Sequence, residues 1–422
     1  MVKPMYALVD ANSFYASAEK VFDPAIRQRP VVVLTNNDGC ICALCEHAKQ
    51  LGVKKFGPYY KVKKLLAQHN AVIRSSNYEL YDYLSNKMMQ VVGQYAPDQH
   101  IYSIDECFLF FDTWRPAESW RVYAERIQSD VWQQLRLPVG VGLGSTPTLA
   151  KVASFAGKKL GDKSGIAVLD TPEACRHVLL QMDVQDVWGV GKRIATRLRE
   201  QGILNAWQLA QFDPKALRKQ FSVELERTVR ELNGTVCIQW DEERAKKQQI
   251  YSTRAFGQPV TSEQFLRESL CWHAEKVAEK LRRQQSKTWL LTLFTHANPF
   301  ADTEQYHKAI QHRFAQPTND TRALVHAASN ASHALYKANI KLHKCGVGAI
   351  EIIETAHEQS DMFAELAHNP KLMQCMDAIN SRYGSQTIGA AAKGIHPEWG
   401  MKREHLSPQY TTNWRHLPKV VC

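Results

Sequence analysis

Short apolar runs alternate with helix-period stretches over the first part of the chain, from Met5 to about Asp170. The runs are rich in β-branched residues and read MYALVDA, PVVVLT, AVIRSS, IYSIDECFLFF, PVGVGLG and GIAVL. Such alternation of strand-type and helix-type patterns is typical of α/β domains. We therefore predict that residues 1–170 form one large α/β domain.

The pattern becomes purely helical in the next segment, residues 171–240. Two short helices are predicted on either side of Gly189-Val190-Gly191 within VWGVGKRIATRLREQGILNAWQLAQFD, and further small helices continue to about Gly234. Short helices joined by brief polar turns indicate a compact helical domain.

A third pattern follows the charged stretch WDEERAKKQQ, over residues 245–353. It reads strand, helix, two strands, helix, strand, which predicts a βαββαβ unit with both helices on one side of a small sheet. The first of these helices has a predicted buried face at helical spacing, Leu266, Leu270, Ala274, Val277 and Leu281. Its opposite face is basic and carries Lys276, Lys280, Arg282 and Arg283. Residues 354–422 have weaker periodicity and are predicted to form an extended tail with short helical pieces, including KLMQCMDAI.

Length and composition agree with several globular domains. The 422 residues are 44% hydrophobic and 23% charged, and no run of eighteen apolar residues occurs. The N-terminus enters a strand-like segment directly, so we expect a cytoplasmic protein without a membrane partner. Ten cysteines without paired spacing favour reduced thiols. The net charge of +11 suggests a polyanionic partner.

Two acidic positions are candidates for metal chemistry. Asp10 ends the first strand-like run, and Asp105-Glu106 lies at the polar tip of a predicted hairpin in IYSIDECFLFF. Adjacent strands would bring all three carboxylates to one sheet edge. Mg²⁺ prefers such oxygen ligands, and two ions about 4 Å apart can activate a hydroxyl and stabilise a leaving pyrophosphate. Aspartates that cap turns are the alternative, and spacing alone does not decide between the two.

A family resemblance favours the metal site. The runs DANSFYASAEKVFDP, RPVVVLTNNDGC, SSNYELYDYLSNKMM, YSIDECF and LAKVASFAGKK are similar in order and spacing to Y-family DNA polymerases of the UmuC group. VWGVGKRI, ERTVRELNG, TRAFG and MKREHLSPQYTT extend the resemblance over nearly the whole chain. It implies a multidomain α/β and α+β fold. Palm and fingers would occupy 1–170, with the fingers at about 36–95, a helix-hairpin-helix thumb 171–240, a little finger 245–353 and a tail 354–422.

The resemblance also implies an activity: error-prone translesion DNA synthesis in the DNA damage (SOS) response, by two-metal phosphoryl transfer to a primer 3′-hydroxyl. Asp10, Asp105 and Glu106 would bind two Mg²⁺ ions. Further implied contacts are Tyr15 as the steric gate against ribose, Lys49 and Lys158 at the triphosphate, and DNA contacts by Gly189, Gly191 and the basic face Lys276, Lys280, Arg282 and Arg283. Without the resemblance, Tyr15 would be a core aromatic and Lys158 a solvated charge.

One stretch departs from the family pattern. CICALCEHAKQLG has Leu44, Cys45, Glu46 and His47 where UmuC-like chains commonly have an arginine and a small residue before a Glu-Ala-basic triplet. Glu46 adds negative charge near the expected triphosphate, although Lys49 keeps the basic position. Cys40, Cys42, Cys45 and His47 also raise zinc as an alternative, but only Cys42 and Cys45 have usual ligand spacing. Buried thiols on a short helix are the other interpretation.

The implied partners are primer-template DNA, deoxynucleoside triphosphates, a UmuD′ dimer, a RecA filament and the sliding clamp. Gln359-Ser360-Asp361-Met362-Phe363 resembles a clamp-docking pentapeptide, in which Gln359, Met362 and Phe363 would make the contacts. The alternative is a terminal helix that packs through Met362, Phe363 and Leu366.

Two other function classes remain open. A catalytically silent, polymerase-like DNA-binding scaffold would keep the fold without needing three converging acids. A palm-type nucleotide cyclase would share two-metal chemistry, but it would need neither the helix-hairpin-helix nor the basic βαββαβ unit.

Overall fold

The computed structural model describes residues 4–161, 164–238, 240, 246–301, 304–357, 369–395 and 400–418. The chain divides into two compact units, one of residues 1–242 with 404–422 and one of residues 243–403. The end of the chain therefore returns to the first unit after the second is complete. Within the described ranges, no helix combines the length and the apolar character needed to cross a membrane.

The first unit contains eight strands and eleven α-helices among its described residues. In chain order they are β1 (Met5–Ala11), α1 (Phe14–Val21), β2 (Val31–Leu34), β3 (Ile41–Leu44), α2 (Glu46–Gln50), α3 (Tyr59–Gln68), β4 (Val72–Ser75), α4 (Tyr78–Val92), β5 (Asp98–Ile101), β6 (Glu106–Phe111), α5 (Trp120–Leu135), β7 (Val139–Gly144), α6 (Pro147–Lys159), β8 (Ile166–Leu169), α7 (Pro172–Gln181), α8 (Lys192–Glu200), α9 (Ala206–Ala210), α10 (Pro214–Gln220) and α11 (Val223–Leu232).

A five-stranded sheet in the order β5-β6-β1-β7-β8 forms the centre of this unit. β1 is antiparallel to both β6 and β7, whereas β7 and β8 are parallel. α6 packs closely on β7 because two strand positions are glycine. A Cβ atom at Gly142 would lie 2.3 Å from the backbone nitrogen of Ser154, and one at Gly144 would lie 2.6 Å from the carbonyl carbon of Leu149. These glycines fix the distance between α6 and the sheet.

A smaller sheet of three strands, in the order β3-β2-β4, accompanies the first. β2 pairs antiparallel with β3 and parallel with β4, so β4 is an edge strand of this sheet. The C-terminal part of the chain covers that edge, since Ser75 forms a parallel bridge with Leu406. An edge strand whose backbone groups are paired is protected from pairing with other chains.

Helices α7 to α11 follow the five-stranded sheet in the chain and pack around a separate apolar cluster, to which α6 and β8 also contribute. The fully buried Glu231 joins this cluster to the start of α6. Its Oε2 accepts from the backbone nitrogen and the hydroxyl of Thr148, at 3.0 and 2.6 Å. Its Oε1 accepts from the backbone nitrogens of Cys237 and Ile238, at 3.0 and 2.7 Å. One carboxylate therefore satisfies four donors, including one at the N-terminus of α6.

The second unit is a four-stranded antiparallel sheet in the order β11-β10-β12-β9 with helices packed against it. Its elements are β9 (Ile250–Val260), α12 (Glu263–Arg283), β10 (Ser286–Ala297), β11 (His307–Thr318), α13 (Thr321–Leu335), β12 (Leu342–Glu354) and α14 (Pro370–Tyr383). The predicted βαββαβ order is thus confirmed. The predicted buried face of α12 is confirmed as well, since its five apolar residues are fully buried.

α14 packs against the second unit, where Met373 is buried and its sulfur accepts from the backbone nitrogen of Thr321 at 3.3 Å. Arg282 of α12 forms a bidentate ion pair with Asp377 of α14, with both distances 2.7 Å. The segment predicted as a single tail is thus divided: residues 369–395 belong to the second unit and residues 404–418 to the first.

The carboxylate of Glu231 yields a stability prediction. Glu231→Gln turns one acceptor oxygen into an amide donor that faces backbone donors, so we expect the free energy of unfolding to fall by about 2 to 4 kcal/mol. Chemical denaturation measures this loss. Glu224→Gln is the matched control, because the Glu224 side chain lies on the same helix and is 72% exposed. A loss for Glu231→Gln no larger than for Glu224→Gln would contradict the buried-acceptor role.

Candidate active site

The strand register brings three acidic residues to one edge of the five-stranded sheet. Asp10 of β1 is directly opposite Glu106 of β6. Asp105 immediately precedes β6, and its backbone oxygen accepts from the backbone nitrogen of Ala11 at 2.8 Å. β5 and β6 pair antiparallel, so the predicted hairpin is confirmed with Asp105 in its turn. The structure thus brings the three predicted acidic residues to neighbouring backbone positions at one edge of the sheet.

Each of the three carboxylates has its own partner. Asp10 forms an ion pair with Lys158, and Glu106 forms one with Lys151 at 2.7 Å. Asp105 accepts from the hydroxyl of Ser103 at 2.5 Å. Burial raises the pKa of Glu106; the ion pair with Lys151 opposes this effect, whereas the neighbouring Asp10 and Asp105 reinforce it. Two lysine ammonium groups from α6 therefore lie in a region of concentrated negative charge.

The donor set suits a hard divalent cation. Carboxylate oxygens are the ligands that Mg²⁺ prefers, and the two lysine contacts show that this sheet edge attracts positive charge. The three carboxylates point to separate partners, so their oxygens are not gathered into one tight group.

A different trio is closer together. Among the residues that the structure describes, only Asp38, Glu404 and His405 bring one ligand atom each within 4.8 Å of one another. Both Asp38 oxygens already accept hydrogen bonds, from the Ser75 hydroxyl at 2.6 Å and from the backbone nitrogen of Glu404 at 2.8 Å. These contacts join the C-terminal part of the chain to the small sheet.

Tyr15 lies beside the carboxylates. It lines a cavity of about 650 Å³ together with Asp10, Asp105, Lys49 and Lys55. Its ring is stacked on that of Tyr81, with centroids 4.3 Å apart and planes inclined by 15°. Burial raises the pKa of Tyr15 above its ordinary value. The ring is thus held in a fixed orientation at the wall of the cavity.

A second cavity of about 1060 Å³ has five lysine or arginine side chains in its lining and one acidic side chain. Lys158 and Lys49, both predicted from the sequence, are part of its lining. Glu46, whose charge departs from the family pattern, is also there and forms an ion pair with Lys49 at 3.2 Å. The basic residues that sequence reasoning missed in the two cavities are Lys20, Arg27, Lys55 and Arg136.

Lys151 was missed as well, although the sequence contains a signal for it. Lys151 and Lys158 are seven residues apart on α6, which is close to two helical turns, so both side chains lie on the same face. The remaining basic residues come from distant segments, and no local pattern marks them.

Within the described residues, the cysteine-rich stretch does not bring three ligand atoms within 4.8 Å of one another. Sγ of Cys42 lies 3.4 Å from the backbone oxygen of Val33, and Sγ of the buried Cys45 accepts from the backbone nitrogen of Val31 at 3.1 Å. Neither cysteine belongs to the one trio of close ligand atoms in the described part of the chain. The structure therefore favours thiols that hydrogen-bond to backbone groups. The predicted short helix is wrong for Cys42, which lies half-buried in β3, whereas the buried Cys45 is the N-cap of α2.

Gly189 and Gly191 precede α8. Gly189 has φ +87°, a conformation that favours glycine, and Gly191 is the N-cap of α8. The first two residues of α8, Lys192 and Arg193, are exposed. Backbone donors at a helix N-terminus next to two basic side chains form a surface suited to a phosphate group.

The basic face of α12 is partly engaged within the second unit. Beyond its ion pair with Asp377, Arg282 donates to the backbone oxygen of Asn319 at 2.8 Å. Lys276 contacts Glu279 at 2.9 Å, and Lys280 donates to the backbone oxygen of Tyr251 at 3.0 Å. The side chain of Arg283 is 78% exposed and is thus the most accessible one measured on this face. The predicted clamp contacts Gln359, Met362 and Phe363 lie outside the described residues.

Solved structures similar to this chain are Y-family DNA polymerases. A Y-family DNA polymerase chimera aligns with a TM-score of 0.62 at 18% identity, over 83% of this chain and 99% of its own. An insertion ternary complex of Dbh DNA polymerase aligns with a TM-score of 0.50, also at 18% identity and with the same coverage. These likenesses define the class of fold, which is that of a Y-family DNA polymerase.

The family follows from sequence similarity. The impB/mucB/samB family model matches residues 9–155, its C-terminal domain model matches 247–362, and a domain of unknown function, DUF4113, matches 370–420. Protein SamB of Salmonella typhimurium is 40% identical over 98% of this chain and 99% of its own length, and Protein UmuC of strain LT2 of that species is 38% identical over 99% and 100%. The chain belongs to the impB/mucB/samB family. The predicted resemblance and the multidomain fold class are both confirmed.

The engagement of the α12 basic face generates a prediction about DNA affinity. If this face contacts DNA backbone, replacing Lys276, Lys280 and Arg283 by alanine flattens the slope of log affinity against log salt by up to about 0.9 for each lost phosphate contact. Filter binding on a primer-template duplex across a salt series measures the slope. Arg282→Ala is expected chiefly to lower the melting temperature, because it breaks the pair with Asp377. An unchanged slope in the triple variant would place this face away from DNA.

Proposed function

We propose that this chain is a translesion DNA polymerase that adds deoxynucleotides to a primer 3′-hydroxyl at the edge formed by Asp10, Asp105 and Glu106. The observation that carries the proposal is the antiparallel register that sets Asp10 opposite Glu106, next to a cavity walled by Tyr15. The relatives support it, since DNA polymerase IV of Bacillus velezensis is 26% identical over 91% of this chain and 92% of its own length.

The three carboxylates would hold two Mg²⁺ ions. Such ions, when bound, lower the pKa of the attacking hydroxyl and stabilise charge on the leaving pyrophosphate. The protein itself positions the reacting groups and supplies positive charge near them. Lys151 and Lys158 reach the carboxylates from one face of α6, so their ammonium groups would be available to the phosphate oxygens of a bound nucleotide.

The basic cavity is the proposed site of the triphosphate. A nucleoside triphosphate carries about four negative charges, and Lys49 and Lys158 lie in a lining with few acids. The ion pair between Glu46 and Lys49 compensates the unusual acidic residue of this stretch. Because Ser13 and Lys49 line both cavities, the two cavities adjoin, and the sugar and the triphosphate of one nucleotide would occupy them together.

Tyr15 is the proposed sugar gate. Its ring is fixed by stacking on Tyr81 and lies at the same cavity wall as Asp10 and Asp105, which would flank the nucleotide. A rigid ring at this wall would contact a ribose 2′-hydroxyl but not the corresponding hydrogen of deoxyribose.

DNA contacts are proposed at the start of α8, through Gly189 and Gly191, and on the basic face of α12. A UmuD′ dimer, a RecA filament and the sliding clamp stay predictions from family resemblance, as does the cytoplasmic location in an SOS response. A silent DNA-binding scaffold explains the site less well. Burial disfavours the charged form of Glu106, and a scaffold has no use for three acids grouped at that cost.

The carboxylates give the first test of this function. Asp105→Asn or Glu106→Gln should lower primer extension by more than a thousandfold, because each change removes a negatively charged metal ligand. Duplex affinity, measured by filter binding, should persist or increase, since repulsion against DNA phosphates falls. Asp98→Asn on the neighbouring strand β5 is the control and should extend primers at the normal rate, as Asp98 is exposed. Normal extension by either site variant would rule out the assignment.

The gate gives a second test. Tyr15→Ala removes the ring at the cavity wall, so incorporation of ribonucleotides should rise at least tenfold relative to that of deoxynucleotides. Single-nucleotide extension with each sugar, expressed as the ratio of the two kcat/KM values, gives the result. Tyr60→Ala serves as the control, since Tyr60 is 73% exposed on α3. A parallel fall of both rates would show that Tyr15 only packs against its neighbours.

A further inference from the structure

The chain segment Glu404–Tyr410 packs on the part of the first unit that carries the tyrosine gate. The backbone nitrogen of Ser75 donates to the backbone oxygen of His405 at 3.0 Å, and the backbone nitrogen of His405 donates to the Ser75 hydroxyl at 3.0 Å. Tyr410 stacks on Phe22, just beyond α1, with ring centroids 5.0 Å apart. This segment lies within residues 370–420, which match the domain of unknown function.

Ser407 is the residue of this segment that reaches α4. Its hydroxyl is buried and accepts from Nδ2 of the buried Asn77 at 2.9 Å. Asn77 is the N-cap of α4, and its Oδ1 accepts from the backbone nitrogen of Leu80 at 3.3 Å. The bond to Ser407 therefore fixes which way the Asn77 amide faces. That orientation in turn sets the first turn of α4, which carries Tyr78 and Tyr81.

A second path from Ser407 leads to the same tyrosines through α1. Ser407 lies near the buried Glu19, whose Oε1 accepts from the Tyr81 hydroxyl at 2.7 Å. The other oxygen of Glu19 lies 3.6 Å from Nε of Arg74. Glu19 follows Tyr15 by four residues on α1, so both side chains lie on one face of that helix. Burial raises the pKa of Glu19, which the Tyr81 bond and the neighbouring Ser407 and Arg74 oppose.

Tyr81 joins the two paths at the gate. Its ring is fully buried and stacks on Tyr15, and Tyr78 contacts both rings edge-on at 6.3 Å. The ring of Tyr15 therefore stacks on Tyr81. The backbone of Tyr81 is held in the first turn of α4, and its hydroxyl is held by Glu19 of α1. A small rotation of Tyr81 would move Tyr15 toward or away from the cavity that it lines.

We propose that Ser407 is a positioning residue for sugar discrimination, which holds Tyr81 and hence Tyr15 through its hydrogen bond with Asn77 at the start of α4. The C-terminal segment Glu404–Tyr410 is then part of the nucleotide site, although it touches no substrate. This inference rests on the proposed function of Tyr15. It assigns a role to part of the domain of unknown function: the segment keeps the ring of Tyr15 in the position where it excludes a ribose 2′-hydroxyl.

Discrimination between ribose and deoxyribose depends on the exact position of the Tyr15 ring, because the ring excludes ribose by contact with a single oxygen atom. A displacement of about 1 Å in a group that contacts the substrate changes reaction rates strongly. The residues that pack behind such a group therefore affect the rate although they do not touch the substrate. Deoxynucleotides lack the 2′-oxygen, so their incorporation depends little on the position of the ring. The signature of a loosened gate is therefore a change in the ratio of the two sugars.

The test is single-nucleotide primer extension by the full chain carrying Ser407→Ala. We expect the ratio of ribonucleotide to deoxynucleotide kcat/KM to rise about fivefold, as for loss of one neutral hydrogen bond. The rise should come mainly from a lower ribonucleotide KM, while deoxynucleotide kcat changes by less than about twofold. Thr412→Ala is the matched control, because Thr412 is exposed five residues further along. It should keep the wild-type ratio.

Two further variants separate positioning from general stability. Ser407→Thr retains the hydroxyl, so its ratio of ribonucleotide to deoxynucleotide kcat/KM should be close to that of the wild type. Tyr81→Phe removes the bond to Glu19, and its effect combined with Ser407→Ala should be less than the product of the two single effects, because both act through one ring. A ratio taken on one preparation does not depend on the folded fraction, so a lower melting temperature leaves the test intact.

Three outcomes would contradict the proposal. They are a wild-type ratio in Ser407→Ala, fully multiplicative effects in the double variant, or parallel losses for both sugars. A wild-type chain that extends no primer contradicts the proposed function, and this inference with it. A wild-type chain that extends primers while Ser407→Ala keeps the wild-type ratio contradicts this inference alone.

Discussion

The antiparallel pairing of β1 with β6 is the constraint on which the active site depends. Side chains alternate between the two faces of a strand, so a slip of one residue would send Glu106 to the face opposite Asp10. Buried apolar residues fix the register: Val9 and Cys107 form the pair next to Asp10 and Glu106, and both are fully buried. The free energy of core burial thus holds two like charges next to each other, and neither charge has to stabilise the fold.

The close approach of α6 makes this concentration of charge tolerable. Gly142 and Gly144 let the helix backbone rest on β7, which brings Lys151 and Lys158 within reach of the carboxylates. A carboxylate that is mostly buried needs a partner, and here the partners are long, flexible side chains that are able to move to another anion. The same lysines therefore serve the resting fold and the proposed chemistry. Hydrophobic residues in place of Lys151 and Lys158 could neither pair with the carboxylates nor contact a phosphate group.

The return of the chain to the first unit links its end to its beginning. Residues 404–410 pair with β4 and contact the end of α1 and the start of α4, so a segment from the end of the sequence becomes a neighbour of the helices that carry Tyr15 and Tyr81. Closing such a long loop costs conformational entropy, which only extensive contact offsets. Buried polar contacts at Asn77 and Ser407, together with the ring of Tyr410, provide that contact. A domain of unknown function thereby becomes a structural neighbour of the proposed gate.

The sequence by itself determined the βαββαβ unit, the buried face of α12 and the hairpin of Asp105-Glu106, because hydrophobic periodicity and turn residues are local properties. Family motifs added the roles proposed for Asp10, Tyr15 and Lys158. Only the tertiary structure decided that Lys151 meets Glu106, that Arg282 binds Asp377 and that Ser407 meets Asn77. Each of these contacts joins residues many positions apart, and a polar side chain gives no local sign of its partner. Periodicity shows which face of an element is buried, whereas packing decides what that face meets.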